Sequence, residues 1–70
     1  MNMQHVYAFQ SAAISSDELE MLQSTLKCWC REQGIDLTSK RAEQGAIELI
    51  DWFQFGIKSP DQLIEMLRRQ

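Results

Sequence analysis

The chain of 70 residues holds one proline, one histidine and two cysteines, and no run of apolar residues longer than four. Each shortage removes something. A bilayer-spanning helix needs about 20 mostly apolar residues, and runs this short cannot supply one. Cys28 and Cys30 stand too close together to cross-link distant parts of the chain, and so few cysteines fit a reducing compartment. Residues 1–5 carry no lysine or arginine and no apolar h-region follows, so a secretory leader is not expected and the cytoplasm is the expected setting. A surplus of basic charge is missing too: the formal net charge is −3, against the basic footprint usual in nucleic-acid binders.

Hydrophobic residues make up 44% of the chain and charged ones 24%, a balance that places it with folded globular domains rather than disordered segments. A core this small rarely contributes more than ~3–5 kcal/mol unaided. With disulfides ruled out, close helix packing and self-association are the expected sources of stability.

Three segments carry a helical period. In the first, over 17–33, Leu19, Leu22, Leu26, Trp29 and Cys30 fall on one face. Ser15 and Glu18 have the spacing of a capping box, and Gly34 followed by Ile35 reads as a left-handed ending. The second, over 39–55, carries Ala42, Ala46, Leu49, Ile50 and Phe53, with Thr38 or Ser39 as cap. Gly56 and Ile57 close it, Ile57 being placed to meet Trp52. Gly45 inside this helix costs ~1 kcal/mol relative to alanine, which points to another element passing close by. The third, over 60–69, opens on Ser59-Pro60-Asp61-Gln62, with Gln62 as the box partner, and carries Leu63, Ile64 and Leu67. Linkers of a few residues favour neighbouring helices packed in sequence order. The expected fold is all-α: a compact three-helix bundle over 15–70, preceded by residues 1–14 as an arm or short extra helix docked through Tyr7 and Phe9.

Leu22, Leu26, Cys28, Cys30, Glu32 and Gly34-Ile35, then Ala46, Leu49-Ile50, Phe53 and Gly56-Ile57, then Ser59-Pro60-Asp61 and Leu63 form a pattern of caps and core positions. In it the chain resembles small helical proteins of alphaproteobacteria of the unknown-function type. The resemblance implies a small bacterial helical fold in the cytoplasm, and no activity, cofactor or catalytic residue.

No constellation ranks one reaction above another, and the chain is read as non-catalytic, with no cofactor and no metal. Thiols two apart on a helix point about 200° from each other and cannot grip one ion, and zinc needs four convergent ligands. Cys30 lies in the apolar stripe, as a small core residue would. Cys28 faces away and is the candidate reactive thiol. His5 lacks an orienting partner for general-base work.

The informative excess is aromatic. Trp52 lies about 100° from the core stripe of the second helix, Phe55 further round, and Ile47 off its other side. Met21 and Cys28 occupy the side of the first helix away from Leu22 and Leu26. Exposed apolar surface of this kind marks interaction sites. Trp52, Phe55, Ile47, Tyr7 and Phe9 are therefore the expected contact residues of a self-associating module, a homodimer or a binder of another protein. The alternative is a small nucleic-acid-binding or transcription-associated domain using Lys40, Arg41, Arg68 and Arg69. It requires those four to converge, and the bulky Trp52 before the Gly56 turn and the acids Asp61 and Glu65 in the would-be recognition helix weigh against it.

Overall fold

The computed structural model describes residues 14–69, which form three helices and no strand. Helix α1 spans Ser16–Gln33, α2 Lys40–Phe55 and α3 Pro60–Arg68, and each packs against the other two. The all-α three-helix bundle expected from periodicity is the fold. Tyr7 and Phe9, and the docking expected of them, lie outside the described residues.

Local chemistry sets the helix ends. Ser15 is the N-cap of α1: its Oγ accepts from Glu18 N–H, and Glu18 Oε1 accepts from Ser15 N–H, which completes the box. At the other end Gly34 sits at φ 68°, where only glycine is unstrained, and Ile35 N–H donates back to Cys30 O at 3.0 Å. Helix α2 closes the same way, Gly56 N–H donating to Phe53 O and Ile57 N–H to Trp52 O. These six-to-one and five-to-two bonds satisfy carbonyls that a bare helix end leaves open. Ser39, rather than Thr38, caps α2, its Oγ accepting from Ala42 N–H. Asp36 holds the loop before it: its Oδ1 accepts from both the N–H and the Oγ1–H of Thr38. At α3 only one arm of the expected box exists among the described residues, Ser59 Oγ accepting from Gln62 N–H at 3.4 Å.

The core is drawn from all three helices: Leu22, Trp29 and Cys30 from α1, Ala42, Leu49 and Phe53 from α2, Leu63 and Leu67 from α3. Two features depart from the sequence expectation. Met21, expected on the far side of α1, packs against the core, and Thr25 is buried with its Oγ1 donating to Met21 O at 2.9 Å. The reason is α3, which covers this flank of α1; there Arg68 reaches across to Glu32. Leu19, expected in the stripe, is 37% exposed instead.

Gly45 lies under the indole of Trp29. A Cβ there would stand 2.8 Å from Cζ3 of that ring and 3.4 Å from Leu26 Cδ1. The close approach expected from a mid-helix glycine is thus the crossing of α1 over α2. Trp29 is only 2% exposed, and its Nε1–H is buried with no acceptor among the described residues, an omission that typically costs ~1–3 kcal/mol. Packing of the ring must outweigh that cost. Gly45→Ala sets two effects against each other: helix propensity adds about 1 kcal/mol, while overpacking a closed core removes about 1–3 kcal/mol. At 2.8 Å the ring must shift to admit a methyl group, and it is almost fully buried, so overpacking wins. Urea unfolding of Gly45→Ala is expected to show a lowered midpoint with an unchanged slope; a raised midpoint would mean that the ring swings aside.

Candidate functional site

Apart from Leu37 in the loop between α1 and α2, two surfaces carry the large exposed apolar residues left over after the core is built. The first is a groove between α1 and α2, lined by Leu19, Leu22, Gln23 and Leu26 on one side and Ala46, Leu49 and Ile50 on the other, with a volume of about 250 Å³. Gln23 is its single polar lining residue. Sequence periodicity assigns all six apolar residues to the core, because it identifies a helix face and not what covers that face. Only Leu22 and Leu49 are fully buried; Leu26, Ala46 and Ile50 are half-buried and Leu19 more open. The signal that could have found the groove is length: α3 has 9 residues against 18 and 16 in its neighbours, too few to cover both flanks of the α1–α2 pair.

The second surface is the outer side of α2. Phe55 is 86% exposed and Ile47 48%. They are eight positions apart on one row of the helix, with Asp51 between them. Trp52 is half-buried and packs against the core, and the backbone of Ile57 ties back to it. The structure therefore puts Phe55 and Ile47 on the same exposed row, and places Trp52 at the boundary between that row and the core.

The four basic residues of the alternative reading gather toward one end of the bundle, since α2 starts where α1 finishes and Arg68 reaches the last turn of α1. Two of them have partners. Arg68 donates from Nε and Nη2 to the two carboxylate oxygens of Glu32, at 3.0 and 2.6 Å, and from Nη1 to Glu65 at 3.3 Å. Arg41 lies over the Trp29 ring, 5.5 Å from its centroid. Arg41 and Lys40 border a hollow of about 400 Å³ with Trp29, Gln44 and Gly45. Lys40 and Arg69 are exposed.

Electrostatics follow these pairings. The hydrogen bonds from Arg68 hold the Glu32 carboxyl below its ordinary range, against a smaller desolvation cost, and the guanidinium charge adds to them. The same pair raises the Arg68 pKa further. Asp36 is lowered by the backbone N–H of Thr38 first and its hydroxyl second. Burial, with the charge of Asp36 adding to it, pushes the Cys30 thiol up. Cys28 is exposed, its Sγ 3.9 Å from Glu32 Oε2. Among the described residues no group of His, Cys, Asp and Glu comes together that could hold a metal ion, and no helix is long and apolar enough to cross a membrane.

Comparison with family models, curated proteins and solved structures finds no match to this chain.

Two outcomes follow from this chemistry. A carboxyl whose folded pKa is depressed stabilises the fold above its unfolded pKa, and that contribution disappears as pH falls through the folded value. The stability difference between wild type and Glu32→Gln should thus be constant near neutrality and shrink as pH drops below about 4.3, the unperturbed glutamate value. Urea midpoints along a pH series check it. For the thiols, a maleimide or aromatic disulfide reagent should modify Cys28 in the native protein and reach Cys30 only on unfolding. Equal slow labelling of both would remove Cys28 as an accessible thiol.

Proposed function

We propose that the protein is a non-catalytic helical interaction module that associates with a second copy of itself, most simply as a homodimer, through the outer face of α2. Phe55 carries this reading. A phenylalanine left 86% exposed on the last residue of α2 is held in place by the two hydrogen bonds that close the helix at Gly56 and Ile57. Those bonds fix the main chain beneath the ring, so no backbone ordering entropy is lost when the ring is covered. Ile47 lies on the same row two turns away, across Asp51, and Trp52 adds an aromatic edge beside Phe55. Aromatic residues are enriched at the centres of protein interfaces, and Glu48 supplies part of a polar rim.

Energetics favour association for a domain of this size. Full desolvation of a large apolar side chain is worth ~1.5–3 kcal/mol, a sizeable fraction of the ~5–15 kcal/mol that holds typical domains folded. The nucleic-acid reading draws less support, since Arg68 is bound to Glu32 and Glu65 and Arg41 is stacked on Trp29.

Light scattering after gel filtration, across a wide concentration range, tests the proposal on wild type and on Phe55→Ser. Phe55 lies outside the core, so the variant should keep its helices by circular dichroism. The expected result is a wild-type mass near twice 8.2 kDa and a Phe55→Ser mass that falls to the monomer. A wild type that stays monomeric throughout, or a dimer indifferent to Phe55→Ser, overturns it.

A further inference from the structure

We infer that residues 1–13 of the same chain fill the apolar groove between α1 and α2, bringing Tyr7 and Phe9 against Leu19, Leu26 and Ile50. The inference is independent of self-association through the outer face of α2. Three observations converge on it.

The first is where the described chain starts. Ile14 packs against the core, immediately before Ser15, the N-cap of α1. Ile14 and Leu19 thus occupy the two positions of a hydrophobic staple, the residue before the cap and the fourth helical residue, which together fix the angle at which a chain enters its helix. Leu19 is also a wall of the groove. The described chain therefore begins at Ile14, five positions before a wall of the groove.

The second is composition. All seventeen charged side chains of the protein lie beyond residue 16, and residues 1–13 contain Met1, Met3, Val6, Tyr7, Ala8, Phe9, Ala12 and Ala13 with no Asp, Glu, Lys or Arg. Such a segment crosses an apolar lining without burying a side-chain charge, which would otherwise be costly. Beyond residue 16 no stretch of thirteen residues is free of such charge.

The third is size. Small-molecule pockets usually hold ~300–1,000 Å³. A groove of about 250 Å³ with one polar lining residue suits one or two side chains and offers a small ligand few groups to orient it. Reach is not limiting: Leu19 to Leu26 covers about 10 Å along the helix axis, while thirteen residues span up to about 43 Å when extended.

Nuclear Overhauser contacts between the Tyr7 and Phe9 rings and the methyl groups of Leu19, Leu26 and Ile50 in the full 70-residue chain test the inference directly. Contacts within one chain are expected, together with ring-current displacement of those methyl signals. Phe9→Ser should abolish the displacement while the Trp29 and Leu63 signals keep their positions. Leu19→Glu, a change at a partly exposed wall, should weaken the contacts with helix content retained. Absence of these contacts in the wild type overturns the inference. So does their appearance only between differently labelled chains in a mixed sample, which would make a second copy the occupant. A monomeric wild type that keeps the intrachain contacts would uphold this inference while removing the dimer proposal, so the two fail separately.

Discussion

Where α1 crosses α2, the faces of the two helices are set by an indole lying on a glycine. With Trp29 Cζ3 at 2.8 Å from where a Gly45 Cβ would stand, the two backbones approach as closely as a large ring allows. Everything nearby answers to that spacing. Cys30 and Ala42, both small, are buried in the same core, and Arg41 lies over the ring. Toward the start of α1 the same helix pair leaves the groove between Leu19, Leu26 and Ile50. The tight crossing and the open groove belong to one geometry.

Helix α3 depends on that pair. Nine residues are too few to be stable alone, since isolated helices below about 12–15 residues are marginal in water. Its hold comes from Leu63 and Leu67, both almost fully buried, from the Ser59 cap with Pro60 behind it, and from Arg68 clasping Glu32. The ion pair is largely solvated, so its contribution to stability is small. Its bidentate geometry fixes orientation more than it adds stability. A second cation performs a similar task at the other end of α2, where Lys58 lies 4.0 Å from the centroid of the Phe53 ring.

Helix ends were the most legible part of this chain. A cap is decided within four residues, so Ser15 with Glu18, Gly34 with Ile35, and Gly56 with Ile57 could be read without knowing any tertiary contact. Gly45 was half legible: its position announced a close neighbour, but not that the neighbour was Trp29. Met21 and Thr25 were misread or missed because a wheel ranks residues by hydropathy around one axis. Thr25 stands three after Leu22 and four before Trp29, a spacing that places it on the core face, yet its hydroxyl argues for solvent until the Met21 carbonyl is seen to accept it. The groove was illegible for the converse reason. Its walls are apolar and in phase, and only the shortness of α3 indicates that part of them stays open. At the basic end, the sequence shows four cations but not that Glu32, thirty-six positions away, holds one of them.

That separation has a kinetic side. The hydrogen bonds that define the caps and turns join residues at most five apart, and α1 meets α2 across a loop of only a few residues. The Glu32–Arg68 clasp spans thirty-six. Closing a longer loop costs entropy that grows only with the logarithm of its length, and local contacts of the first kind speed folding. The hairpin of α1 and α2 therefore closes at the lower entropic cost, while docking α3 brings together residues thirty-six apart in the chain. A bidentate arginine at the end of that last helix marks the place where the fold closes.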